Sequence, residues 1–288
     1  MADNPGALEL LSKARNTRSQ TGEDGIVEAI LERLPERDQW CVEFGAWDGV
    51  HLSNTCRLIE EKGYSAVLIE AGEAKFGELV ANMKPYPSVT CLNAFVGFTG
   101  EDSLDALLSG TSCPEDFDFL SIDIDGNDYH VWKVVSTYHP KLVCIEYNPA
   151  IPSAVRYVQP ADMSIQQGNS LRAYFELGQE KGYKLVCANL FNAFFVREDL
   201  WDGEYVRTAD ELPAFRLEEP ASVYLFSGFD GTILLSEPYD LVTHKYILRD
   251  SDVQVMPRFL RRFPDKRNVL QRLLYGIHSR WRRHVRGL

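Results

Sequence analysis

The sequence predicts an α/β protein built on a doubly wound, mostly parallel seven-stranded sheet with helices on both faces. Three observations predict it. Short apolar or β-branched runs alternate with helical patterns along the first two thirds of the chain. These runs have few polar positions in their middles, as strands covered on both faces require. The last two runs are separated by only two residues, Phe191 and Asn192, so they close as an antiparallel hairpin. A chain of 288 residues can bury a full core as one large domain or two small ones.

The elements follow in order. Residues 25–34 place Ile26, Val27, Ile30, Leu31 and Leu34 on one helical face, so a helix precedes the sheet. The first strand is 40–45 (WCVEFG), followed by a loop and a helix over 53–62. A second strand, 65–70 (SAVLIE), leads into a helix over 75–83; the third strand is 89–96, and a short helix covers 103–108. The fourth strand is 117–123 (FDFLSID). It is followed by a helix over 129–137, with Val131, Trp132, Val134 and Val135 as its apolar side, and a fifth strand over 141–147. Residues 150–169 form a long connection, a length that inside a compact domain marks a lid or binding loop. A helix over 171–181 and strands 183–190 and 193–197 complete the sheet. The domain division is therefore a helical lead-in (1–35), a ligand-binding domain (36–200), a small appended element (201–257) with a Gly228-Phe229-Asp230-Gly231 turn, and a basic tail (258–288).

Composition narrows the function classes. Hydrophobic residues at 45% and charged residues at 25% exclude a disordered or collagen-like chain. There is no uncharged apolar run long enough for a membrane span, and residues 1–18 lack the apolar stretch of a secretory signal, so a cytoplasmic location is expected. Six cysteines without CxxC spacing, four of them in predicted strands, read as small buried hydrophobes in a reducing compartment.

The net charge of −12 is unevenly spread: residues 258–288 hold ten basic residues against one acid, Asp265, which leaves 20 basic and 41 acidic residues in the first 257. A body that acidic argues against a nucleic-acid partner. In the tail, Leu270, Leu273, Leu274, Ile277, Trp281 and Val285 recur at three- and four-residue steps, while Arg272, Arg280, Arg282, Arg283 and Arg286 fall elsewhere. Such a basic amphipathic helix either lies on an anionic membrane surface, which would make the protein peripheral at the cytoplasmic face, or packs on the acidic body or a partner.

In open α/β sheets ligands bind beyond the carboxyl ends of the strands. Strand one ends Glu43-Phe44-Gly45-Ala46-Trp47-Asp48-Gly49, where two glycines permit a tight turn and close approach to a ligand. Strand two ends at Glu70, placed to accept hydrogen bonds from a ribose diol. The fourth strand ends in Asp123 and Asp125, with Asp128 just beyond. A pyrophosphate calls for GxGxxG, whereas this turn is GxxxG and contains Asp48, which would repel phosphate. S-adenosylmethionine has no phosphate and carries a sulfonium and an ammonium, which acidic surroundings favour.

The motifs VEFGAWDG (42–49), LIE (68–70), NAFVG (93–97) with SLD (103–105), FLSIDIDG (119–126), IE (145–146), GYKL (182–185) and NAFFV (192–196), in this order and spacing, resemble the FkbM-type S-adenosylmethionine-dependent methyltransferases of the Rossmann-like class I fold. With SQTGED (19–24) as a lead-in, the resemblance covers about residues 19–198. Two departures concern the substrate side: Asp123-Ile124-Asp125-Gly126 stands for the usual Asp-Glu-Gly, and Gly45-Ala46-Trp47 for Gly-Ala-Asn.

The resemblance implies O-methylation of a hydroxyl on a small molecule or glycoconjugate. It places the methionine part of the cofactor in the 43–49 loop (Glu43, Gly45, Ala46, Trp47, Asp48, Gly49), its ribose at Glu70, its adenine beside Asn93 and Ala94, and Asp123 near the methyl group. An alcohol acceptor benefits from a base, for which Asp125, His130 and Asp123 are the candidates. A divalent cation such as Mg²⁺ held by Asp123, Glu146 and Asn148 is the other route. A cationic tail also fits a lipid-linked saccharide at the cytoplasmic membrane face.

Plainer roles compete for several of these residues. Asn127 caps a helix in one reading, His130 is a solvated helix residue, Trp47 packs in the core instead of covering a ligand, and Glu23 and Asp24 only begin a helix. His51, His139 and His244 have no partner pattern. The alternatives are an NAD(P)-dependent oxidoreductase on a similar sheet and a non-catalytic nucleotide-binding or interaction module.

Overall fold

A computed structural model describes residues 5–241 and 244–286, divided into two compact units, Met1–Pro220 and Ala221–Leu288. The first unit begins with α1 (Pro5–Leu11) and α2 (Glu23–Leu31). The alternation that follows is β1 (Trp40–Phe44), α3 (Cys56–Lys62), β2 (Ser65–Glu70), α4 (Glu73–Met83), β3 (Val89–Asn93), α5 (Leu104–Ser109), β4 (Phe119–Ile122), α6 (Asp128–Val134) and β5 (Leu142–Glu146). It ends with α7 (Leu171–Glu180), β6 (Tyr183–Ala188), β7 (Asn192–Arg197) and the short α8 (Leu212–Phe215).

All seven strands join one sheet in the order β3-β2-β1-β4-β5-β7-β6. The first five run parallel, and β7 enters antiparallel between β5 and β6. This is the doubly wound sheet with a terminal hairpin that the sequence predicts. Its strand order reverses beside β1, between β1 and β4, so the carboxyl ends of these two strands flank the crevice where such sheets take ligands. The middles of β1, β2, β4 and β5 are buried on both faces, as their unbroken apolar runs demand.

The opposite ends of the central strands are pinned by a buried acid. Asp118 accepts the backbone N–H groups of Asp38 and Gln39 and the Lys141 ammonium at 2.8 Å, tying the entrances of β1, β4 and β5 together. A buried charge holds such a place only when paired this fully. β7 starts one residue before its predicted run, at Asn192; every other observed strand is shorter than its run or equal to it, because the terminal residues of the runs turn out of the sheet. β3, for example, stops at Asn93, and Ala94–Val96 continue as cavity lining.

The segment after β7 belongs to the first unit. Trp201, Val206, Leu212 and Phe215 are buried in the core, so the compact unit ends at Pro220, 20 residues past the boundary that turn residues and composition suggest. The six cysteines are free thiols, and all but Cys91 are buried.

The second unit holds two small hairpins, β8 (Leu225–Ser227) with β9 (Ile233–Leu235) and β10 (Tyr239–Leu241) with β11 (Tyr246–Leu248), and the helix α9 (Val269–Arg286). Of the predicted basic tail, 258–268 forms 3₁₀ turns and only the remainder is α-helix; Gly287 and Leu288 lie outside the described residues. Among the described residues no helix is long and apolar enough to cross a membrane.

Candidate active site

A cavity of about 690 Å³ opens at the carboxyl ends of β1, β2, β4 and β5. Four carboxyl side chains line it, from Glu70, Asp123, Asp125 and Glu146, and its lining contains no lysine or arginine.

On one side the turn after β1 meets the end of β2. Gly45 has φ +75°, and a Cβ there would sit 1.8 Å from the Asp123 carbonyl oxygen, so only glycine lets β1 leave the sheet against β4. Glu70 fixes this turn: one carboxylate oxygen accepts the Trp47 N–H at 2.9 Å and the other the Gly72 N–H at 2.6 Å. Each oxygen keeps a further lone pair for a ligand hydroxyl. Trp47 lines the cavity instead of packing in the core; it is 40% exposed, with the Lys75 ammonium 4.5 Å from its ring centre and the His51 ring edge-on at 5.1 Å.

Other predicted cofactor residues act from behind this surface. Glu43 is buried near the carboxyl end of β1 and accepts the Ser53 and Thr55 hydroxyls and the Asn54 N–H. Burial pushes its carboxyl up and these three bonds oppose it, so it organises the loop before α3 and does not line the cavity. Ala46 is buried, its N–H bonded to the Ile69 carbonyl. Asp48 accepts the N–H groups of Val50 and His51; although burial raises its carboxyl, these bonds bring it below the ordinary value. Gly49 closes the turn by donating to the Ala46 carbonyl. Asn93 donates to the Glu70 and Ala71 carbonyls, which leaves Ala94, with Phe95 and Val96, to face the cavity.

The other side is acidic. Asp123, Asp125 and Glu146 each offer an oxygen within 4.8 Å of the others. Burial, then the charges of Asp128 and Asp125, push Asp123 up to about 7; burial, then the charges of Asp123, Asp128 and Asp125, push Glu146 up to about 9. Their mutual interaction lowers Asp123 and raises Glu146, so Glu146 is the member of the pair that keeps its proton to higher pH. Asp125 stands in left-handed backbone, φ 58°. Asp128 holds that turn from below, accepting the Ile124 and Gly126 N–H groups at 2.8 Å each, and is itself buried.

The predicted 150–169 loop is stitched over this turn. Gln159, 1% exposed, receives the Gln167 and Gly168 N–H groups and donates to the Ile165 carbonyl, while Asn169 donates to the Gly126 carbonyl. A Cβ on Gly126 would meet the Gln159 amide at 2.8 Å. The loop contributes Met163, Ile165 and Gln166 to the cavity.

Three predicted roles are corrected by this network. His130 Nε2 lies 2.8 Å from the Gln159 carbonyl and its ring packs on Phe98 and Tyr129, so it clamps the loop and does not reach the cavity as a base. Asn148 donates to the Gln167 carbonyl and accepts the Ala150 N–H, which takes both ends of its amide; Asp125 stands with Asp123 and Glu146 instead. Asn127 makes no side-chain cap bond to α6 but donates to the Asp162 carbonyl.

Gln20, His51, Asn54, Phe95, Met163, Gln166 and Asn192 also line the cavity, although no motif in the sequence gives them a site role. Gln20 stands in the SQTGED lead-in. Glu23 in that motif is buried and accepts the Gln20 and Thr21 N–H groups and the Asn189 and Asn192 amides, so it joins the lead-in to the β6–β7 hairpin and is more than a helix-starting acid.

No family model matches the sequence, and neither does any curated protein. Among solved structures, the N-terminal domain of EvdMO1 with SAH bound is 15% identical, with a TM-score of 0.40 over 60% of this chain and 79% of that one. A SAM-dependent methyltransferase from Aquifex aeolicus is 12% identical, with a TM-score of 0.38 over 66% of this chain and 97% of that one. TrmK of M. capricolum, in complex with S-adenosyl-homocysteine, is 7% identical, with a TM-score of 0.38 over 61% of this chain and 68% of that one. The mostly parallel seven-stranded sheet itself is read from this chain's own strand order.

Proposed function

We propose that this protein is an S-adenosylmethionine-dependent methyltransferase of the FkbM type, acting on a hydroxyl of a small molecule or glycoconjugate. The observation that carries the reading is the Glu70 carboxylate braced beside the Gly45–Trp47 turn, in a cavity with four carboxyl groups and no cationic side chain in its lining. Such a lining repels the pyrophosphate of a nicotinamide dinucleotide and favours a cofactor that bears a sulfonium and an ammonium. The bound cofactor would supply an electrophilic methyl carbon.

The chain's own part is alignment, exclusion of water and proton removal. Glu70 offers acceptors to the ribose hydroxyls, and Trp47 and Phe95 offer apolar walls. The 150–169 loop adds Met163, Ile165 and Gln166 to the cavity wall, and Asp123 and Asp125 stand in reach of one another at its acidic end. Held in line with the methyl carbon, an acceptor oxygen forms the new C–O bond as the C–S bond breaks, and its proton passes to the Asp123 or Asp125 carboxylate.

A second reading rests on the same three carboxyl groups. Asp123, Asp125 and Glu146 form the all-oxygen donor set that a hard divalent cation such as Mg²⁺ prefers, and a cation there would relieve the repulsion that raises Asp123 and Glu146. The protein would then orient the acceptor hydroxyl through the ion.

Incubation with methyl-labelled S-adenosylmethionine and a panel of hydroxylated acceptors tests the proposal. Label transfer with matching release of S-adenosylhomocysteine, lost in Asp123→Asn, is the expected result. Cofactor binding without transfer to any acceptor, or transfer unchanged in Asp123→Asn and Asp125→Asn, would overturn the assignment of chemistry to this end of the cavity.

A further inference from the structure

We propose that α9 is a docking element for an anionic phospholipid surface, lying in its plane. Along this helix Leu270, Leu273, Ile277, Trp281 and Val285 follow one another at steps of three, four, four and four residues, which keeps them on one face over about 22 Å. All five are between 56% and 62% exposed, so none of the described residues of the second unit covers the stripe. Arg272, Arg282 and Arg283 fall on the opposite side at the same helical spacing, with Arg280 on its flank, and the helix contains no acid.

The helix is set before any partner arrives. Asn268 and Gln271 exchange reciprocal hydrogen bonds of 2.8 and 3.1 Å between side chain and backbone, a capping box that satisfies the first turn. Gln271 and Arg272 also donate to the Phe259 and Arg267 carbonyls, which fastens the helix to the basic segment before it. That segment exposes Phe259 and Phe263 among Arg258, Arg262 and Lys266.

Charge selects the occupant. A second copy seated on this stripe would hold two all-basic helices side by side with no acid to pair across the seam. A heptad seam through Leu270, Leu273 and Ile277 would next place Arg280 and His284 at core positions, which a coiled coil resists. Anionic headgroups supply the missing counter-charge, while the apolar face and Trp281 enter the acyl boundary.

Sedimentation of the full chain with vesicles provides the test, comparing phosphatidylcholine alone with a mixture containing roughly 30 mol% phosphatidylglycerol, a composition in the range where basic segments respond to surface charge. The expected result is pelleting with the anionic vesicles only, weakened about tenfold or more in an Ile277→Glu/Trp281→Glu variant whose melting profile is unchanged. No pelleting, or pelleting unaffected by that substitution, would overturn the proposal. So would a dimer in solution that the substitution dissociates, because a second copy would then own the stripe.

Discussion

Gly45 and Asp123 are in backbone contact: a Cβ on Gly45 would lie 1.8 Å from the Asp123 carbonyl oxygen. This contact joins the two halves of the candidate site, because Gly45 opens the turn that Glu70 braces and Asp123 opens the acidic cluster at the end of β4. Gly45→Ala must therefore break the site and strain the fold at once. The expected cost is about 2 kcal/mol or more of stability, from left-handed backbone and the clash together, with cofactor binding lost. A melting curve and a cofactor titration close to those of the parent protein would show that the contact is unimportant.

Glu70→Ala tests the ribose assignment alone. Loss of its acceptors is expected to weaken S-adenosylmethionine binding by about 1–3 kcal/mol, roughly 5- to 150-fold. The bonds to the Trp47 and Gly72 N–H groups that it also braces are exposed, so a smaller loss of thermal stability accompanies the effect. Unchanged affinity by calorimetry would remove the assignment.

The acidic cluster makes the ligand-free protein sensitive to pH. Asp123 and Glu146 titrate higher in the folded state than as free carboxyls, so the stability associated with their protonated forms is present in acid and is lost as pH rises through about 7 and about 9. In the presence of chelator, the melting temperature is expected to fall between about pH 5 and about pH 9, and to fall less in Glu146→Gln. Identical slopes for parent and variant would contradict the proton-holding pair.

Metal dependence is separable from the base. If the three carboxyl groups hold a cation, EDTA abolishes turnover, Mg²⁺ restores it, and Asp125→Asn raises the metal requirement. Chelator-insensitive turnover that Asp123→Asn still abolishes assigns the step to a carboxylate base instead.

How much of this was legible in the sequence follows from the range of the interactions. The sheet was legible because apolar runs such as SAVLIE encode burial locally, and the observed β2 spans the same six residues. Gly45 and Glu70 were legible because they terminate those runs. His130 and Asn148 were misplaced because their partners, Gln159 and Gln167, lie 29 and 19 residues away in a loop without regular structure. Asn192 is held at the cavity by Glu23, 169 residues away in sequence, and nothing local announces such a contact. Nothing local assigns the first part of the 201–257 segment to the sheet domain, because its apolar residues are scattered; Trp201, Val206, Leu212 and Phe215 converge only in the fold.

The most direct measurement is calorimetric titration of the full chain with S-adenosylmethionine, S-adenosylhomocysteine and NADH in parallel. An acidic, phosphate-repelling cavity predicts binding of the first two, weakened in Glu70→Ala, and none of the third. Binding of NADH alone, or of none of the three, would contradict it.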